Sequence, residues 1–347
     1  MGALTARFED ELAAYVGLES RALVAMSSCT AALHCAFVLA GVGPGDEVIC
    51  PAFTYVAGHQ AVSATGASVV FCDIEEESLG VDVESIRRLL TDRTRAILVL
   101  HYAGIPAAHL NAVYELASDH GLRVVEDAAH AFGSAHEGRQ IGSFGDLTCF
   151  SFGPVKVITS LEGGAVVTPR PEDVGTLQEL RLVGVTKSTA ERYDNRRTWD
   201  YDVTRQGFRY HLGSIPAAIG RSQLELADVF IRNRQEYCRV YNDRFAELPA
   251  VITPQTDFSD VSPFIYFIRT PDEGTRAALI RHLGERGIAS GIHFLGAHEF
   301  SYYRDCRRDN MQRTEQVAGA IITLPLHSFM SDETIEQVVD GVRTFFA

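Results

Sequence analysis

LRVVEDAAH, residues 122–130, is the stretch from which the fold can be read. An apolar, β-branched run, Leu122-Arg123-Val124-Val125, leads into two carboxylates, Glu126 and Asp127, and then into small residues that end the pattern. A short run of this kind reads as a buried strand with Asp127 at its carboxyl end. On either side of it, comparable apolar runs occupy residues 47–50, 68–72, 95–100, 147–150 and 165–168. Residues 31–40, 56–64, 83–90 and 110–120 lie between these runs and carry helical patterning. The alternation predicts a mostly parallel α/β sheet with helices on both faces. Such sheets take their ligands outside the carboxyl ends of the strands, which is where Asp127 falls. A carboxylate in that place also reads as an ordinary helix cap.

Near residue 224 the pattern changes. A long helical run over 224–248 precedes an extended segment at 264–269 and helices near 276–286 and 332–346. We therefore expect a large domain over 1–230 and a small C-terminal α/β domain over 231–347.

Composition narrows the function classes. The net charge of −14 is spread along the chain with no basic tract, which argues against nucleic-acid binding and against anionic membranes. No stretch of about 18 apolar residues is present, so no membrane-spanning helix is expected. The opening MGALTARFEDELAAY turns acidic at once and lacks an apolar signal core, which predicts a cytoplasmic protein. Seven cysteines, odd in number and never spaced CxxC, point to reduced thiols rather than disulfides or zinc. None of the 12 histidines falls in a recognised ligand spacing, so no catalytic metal is expected.

Lysine is nearly absent: Lys156 and Lys187 are the only two among 31 basic residues. Arginine replaces lysine wherever only charge is needed, but not where an amine must lose its proton and attack a carbonyl. Lys156 lies in FSFGPVKVI, residues 150–158, among apolar neighbours and after a Gly-Pro turn that follows a strand. Desolvation there favours the neutral amine and fits it for a Schiff base. A lysine reaching along apolar surface from a loop would look the same. If Lys156 and Asp127 share a site, Asp127 suits the pyridinium nitrogen of pyridoxal phosphate (PLP).

Other candidates are individually weaker. Ser27-Ser28-Cys29-Thr30 opens an amphipathic helix, a place where phosphate binds and also where Ser28 is a plain N-cap. Gly41-Val42-Gly43-Pro44-Gly45 precedes a strand instead of following one and reads as a turn, not a dinucleotide loop. Tyr55 follows a strand, as a ring-stacking residue or as a core aromatic. His101, His130, His293 and His298 are polar groups suited to a site or to structural pairing.

Taken together these segments resemble the DegT/StrS family of PLP-dependent nucleotide-sugar aminotransferases, over nearly the whole chain and in the family's order. The likeness is carried by SSCTAALH (27–34), PGDEVICPAFTYVA (44–57), VVEDAAHAFGS (124–134), FSFGPVKVITSLEGGAVVT (150–168), GFRYHLGSIPAAIGRSQL (207–224) and GIHFLGAH (291–298). The resemblance implies the aspartate aminotransferase type of fold (fold type I), with a large mostly parallel-sheet domain and a small C-terminal α/β domain. It also implies a homodimer with shared active sites. By the same resemblance Lys156 is the Schiff-base lysine and Asp127 the partner of the pyridine nitrogen. His130 approaches the cofactor's phenolic oxygen, and Tyr55 stacks on the ring. Ser151, Cys29 and Thr30 fall at phosphate-binding positions. His298 and His101 are candidates for substrate binding. The implied substrates are an amino-acid donor, with glutamate expected, and a nucleotide-linked keto sugar. The style of the segment after Gly207 favours C-4 of a 4-keto-6-deoxy sugar over C-3.

Two departures stand out. Family members usually begin some twenty residues earlier than Met1. The family's Asn-Tyr-Arg, whose Asn reaches the partner subunit's cofactor phosphate, reads Arg209-Tyr210-His211 here, so Arg209 is expected at a phosphate. A sugar dehydratase of the same fold would carry His at position 156, which Lys156 argues against. A PLP-binding regulatory or scaffold protein without turnover is the remaining alternative.

Overall fold

A computed structural model describes residues 2–18, 22–186 and 201–347 of the chain. Lys187 lies outside the described residues.

Seven strands form the main sheet: β1 (Ala22–Met26), β2 (Glu47–Pro51), β3 (Ser68–Cys72), β4 (Thr94–Leu100), β5 (Arg123–Asp127), β8 (Leu147–Ser151) and β9 (Gly164–Thr168). A short hairpin, β6 (Ala135–His136) and β7 (Arg139–Gln140), interrupts the series. The strand order is β1-β9-β8-β5-β4-β2-β3. Neighbours pair in parallel from β8 to β3, and only β9 runs against its neighbours β8 and β1. The carboxyl ends of six strands therefore share one edge, which the start of β9 joins.

Side chains alternate across the sheet. In β4, Ile97 and Val99 enter one apolar cluster while Ala96 and Leu98 enter the other. Helices α2 (Cys29–Leu39) and α3 (Ala57–Ala64) cover the second face. Helices α1 (Ala3–Val16), α4 (Val83–Leu89) and α5 (Leu110–Asp119) supply residues to the first.

All six expected strands are present. Strand β1 and helix α1 were not anticipated. Phe8, Leu12 and Val16 of α1 form a buried stripe at four-residue spacing. Gly17, in the left-handed region, ends the helix, and Leu18 N–H bonds back to Ala13. After α6 (Asp173–Arg181) and α7 (Ser214–Leu224), the helical run expected over 224–248 is α8 (Ala227–Phe245). Gly220 of α7 allows the close packing on α1, since a Cβ there would lie 2.5 Å from the Phe8 ring.

The C-terminal unit pairs β10 (Tyr266–Arg269) with β11 (Ile321–Leu324) in antiparallel fashion. Around them lie α9 (Glu273–Glu285), α10 (Gln312–Ala320) and α11 (Asp332–Phe346), and a third apolar cluster joins α8, α9 and α11. A fourth cluster, including Phe53, Tyr102, Phe264 and Phe267, seats this unit against the carboxyl edge of the main sheet. Among the described residues no helix is long and apolar enough to cross a membrane.

Candidate active site

Asp127 is the last residue of β5, Ser151 of β8 and Leu100 of β4, while only two residues separate β1 from α2. The chain after β8 turns back on itself: Lys156 N–H bonds to Gly153 at 3.2 Å, and Ser160 N–H returns to Phe152 at 2.9 Å. That turn brings Lys156 over the sheet edge. Asp127, Lys156, His130, Ser151, Tyr55, Ser28, Cys29 and Thr30 thus line one cavity of about 400 Å3. Its far wall comes from the C-terminal unit, through Phe264, His293 and Phe294.

Burial dominates the electrostatics. It raises the Asp127 carboxyl above its ordinary range, against the pull of the Ala129 N–H and of Lys156 and His101. It lowers the Lys156 amine, against the opposing influence of Cys29 and Asp127. Among the described residues, both donors that reach the Asp127 carboxylate fall on Oδ1: Ala129 N–H at 3.1 Å and the Cys29 thiol at 3.9 Å. Oδ2 is left for a ligand proton. His130 is pushed well down by burial and then by Lys156 and His293; its Nδ1 accepts the Ala103 N–H at 3.3 Å, as a neutral ring can. The His130 ring stacks on Phe264, with centroids 4.2 Å apart.

At the start of α2, Ser28 accepts the Ala31 N–H at 3.1 Å, so the capping role is real. The first turn still carries N–H groups that the helix does not use, and Ser28, Cys29 and Thr30 open on the cavity. Gly164 makes this approach possible: a Cβ there would sit 2.5 Å from Cys29 N and from Ser28 C.

Three sequence candidates do not line the cavity. His101 is fully buried on the opposite face of the sheet, paired with Glu126 at 2.8 Å and accepting Ala107 N–H at 3.1 Å. His298 is buried beside Phe71 and faces Glu315 at 3.4 Å. Arg209 is exposed, on a segment bridged to Leu182. Tyr55 is 59% exposed at the rim, which removes its reading as a core aromatic. Phe264, Phe294, Glu162 and Thr54 line the cavity and were not singled out in the sequence. Phe264 and Phe294 look like any strand-edge aromatic until the chain folds back. The pair Gly163-Gly164 was the one available signal of close backbone approach.

The seven-stranded sheet, with a smaller unit closing over its carboxyl edge, has the fold type I architecture of PLP-dependent aminotransferases. The chain belongs to the DegT/DnrJ/EryC1/StrS aminotransferase family, whose model matches residues 1–343. It is similar to DesV of S. venezuelae, with 33% identity and a TM-score of 0.90 over 99% of this chain and 90% of that one. The sugar aminotransferase CalS13 from Micromonospora echinospora is 27% identical, with a TM-score of 0.89 over 99% of this chain and 92% of that one. The spore coat polysaccharide biosynthesis protein SpsC of Bacillus subtilis (strain 168) is 33% identical, over 97% of this chain and 88% of that protein. Family and fold together support amino transfer on nucleotide sugars.

Proposed function

We propose that the chain moves an amino group from an amino acid, glutamate first, to the keto carbon of a nucleotide-linked sugar, preferring a 4-keto-6-deoxy sugar to a 3-keto one. The observation that carries this is the meeting of Lys156 and Asp127 in one desolvated cavity.

PLP suits the residues present. A buried carboxylate with one oxygen free of donors among the described residues calls for a cationic N–H partner, which a protonated ring nitrogen would supply. Ser151 and the α2 start would take the phosphate, and His130 and Tyr55 would flank the ring. When bound, PLP supplies an electron sink for a carbon losing its proton.

The chain's own residues do the rest. The desolvated Lys156 Nζ has an eased path to the neutral amine, so it can take a proton from the donor's carbon and return it. Asp127 holds negative charge where the ring nitrogen must stay protonated. The aromatic wall of Phe264 and Phe294 keeps water from these groups. The sugar acceptor is supported by relatives whose names are a sugar aminotransferase and a polysaccharide biosynthesis protein.

The test is a panel of nucleotide-linked 4-keto and 3-keto sugars offered to protein charged with the amine form of the cofactor. Aminated product from the 4-keto-6-deoxy members is expected first. Product from simple keto acids alone, with every ketosugar refused, would overturn the assignment.

A further inference from the structure

The wall of the cavity opposite Asp127 holds one contact that amino transfer as described does not use. Lys156 Nζ lies 3.9 Å from the centroid of the Phe264 ring. His130 stacks on the same ring at 4.2 Å and 27°. Phe264 comes from the C-terminal unit, just before β10, and its backbone is held at both polar groups. Its N–H bonds to Ala103 at 3.0 Å, and its carbonyl accepts Arg234 Nη1 at 3.0 Å. Arg234 is buried in α8 and also binds the Pro263 carbonyl at 3.2 Å and Ser328 Oγ at 3.0 Å. The ring is therefore placed before any ligand arrives.

We propose that Phe264 is a positioning residue for Lys156: its aromatic face is the dock of the free ammonium. The role presupposes the amino transfer proposed above. A lysine that is repeatedly released and recaptured needs a resting place inside the cavity. A long alkyl ammonium loose in solvent would carry rotamer entropy into each recapture. A π face attracts the ammonium without neutralising it. A carboxylate in the same place would form an ion pair and hold the proton harder. The dock thus keeps the charged lysine near while leaving deprotonation accessible. Among the described residues, the titratable groups that line the cavity with the amine are Asp127 from β5, Cys29 from α2, Tyr55 before α3, His130 after β5, Glu162 before β9 and His293 before β11.

The near absence of lysine makes the test clean. Full-length protein freed of cofactor is labelled with trace acetic anhydride across the alkaline range, and labelling at Lys156 is read by peptide mass apart from Lys187 and the N-terminus. Phe264→Leu and Phe264→Met remove the π face, and Phe264→Tyr keeps it. The expected result is that Leu and Met move the midpoint of the Lys156 labelling curve to lower pH. Below the midpoint that raises the labelling rate on the order of threefold to tenfold, and Tyr leaves the midpoint in place. A merely structural role would change the plateau through access and leave the midpoint alone. An unmoved midpoint in both non-aromatic variants, or one moved as far by Tyr, overturns the dock. Borohydride reduction of each protein with PLP runs alongside. A wild type that forms no adduct at Lys156 would overturn amino transfer itself and the dock's purpose with it. A normal adduct beside an unmoved midpoint overturns the dock alone.

Discussion

Asp127 and Lys156 are each held in the cavity at a cost that the fold has to carry. Desolvation is the largest influence on both, raising the carboxyl and lowering the amine. A carboxyl with a raised folded value contributes stability at low pH that is lost as pH rises through that value. A lysine with a lowered folded value costs stability below it, and the cost fades as pH climbs from there to the ordinary lysine range. At a pH between these two windows both groups are charged and their joint cost is greatest. Replacing both by neutral residues of similar shape should therefore stabilise the cofactor-free protein. We expect Asp127→Asn/Lys156→Met to gain about 1–3 kcal/mol where both groups are charged, by analogy with other replaced buried pairs. The gain should shrink toward either extreme of pH, as urea melts across pH would record. A double variant less stable than wild type at every pH would contradict the desolvation account. Asp127→Asn alone should retain measurable cofactor binding but slow the half-reaction with glutamate on the order of a hundredfold or more. Half-reaction rates within a few-fold of wild type would remove Asp127 from its role.

The start of α2 shows how an element is placed for chemistry. Its position over the cavity depends on β9 passing directly beneath it, and Gly164 leaves no room for a side chain between them. Gly164→Ala should push the helix start away from the cavity. We expect a loss of about 1–3 kcal/mol in stability and roughly tenfold weaker PLP binding by fluorescence titration, equivalent to about 1.4 kcal/mol. Gly175→Ala in α6, where a Cβ would meet nothing within 4 Å, is the control and should cost neither. Unchanged PLP affinity in Gly164→Ala would mean that the α2 start does not hold the phosphate. The strands of the main sheet were legible because a strand buried on both faces is a continuous apolar run, as Val48-Ile49-Cys50 and Ile97-Leu98-Val99 are. Asp127 and Lys156 were legible because each breaks such a setting with a charge. Helix α1 is written in an amphipathic pattern diluted by Glu9, Asp10 and Glu11. Phe264 and Phe294 were silent because a site residue contributed by a distant segment leaves no local mark.

For the molecule as a whole, the site is made where two units meet. The main sheet supplies the groups that would hold a cofactor, and the C-terminal unit supplies an aromatic lid anchored by Phe264 N–H to Ala103 and by the Tyr102 hydroxyl donating to the His293 carbonyl. Around the mouth, Tyr55 and Val155 are exposed apolar side chains. Arg209, also exposed, stays off its own chain's cavity. We propose that a second copy covers this rim in a homodimer and that Arg209 serves the cofactor phosphate of the partner subunit or the diphosphate of the sugar nucleotide. Sedimentation should give twice the chain mass. Arg209→Ala should weaken PLP binding in the first case and raise only the KM for the sugar in the second. A monomer, or a variant unchanged in both constants, would remove Arg209 from the site. The most direct measurement of all is reduction of the PLP-loaded protein with borohydride, followed by mass mapping, with and without prior glutamate. A single reduced adduct on Lys156, lost when glutamate is added first, is the predicted result. An adduct on Lys187, or one on Lys156 that glutamate leaves untouched, would contradict the assignment of this chain as an aminotransferase built around Lys156.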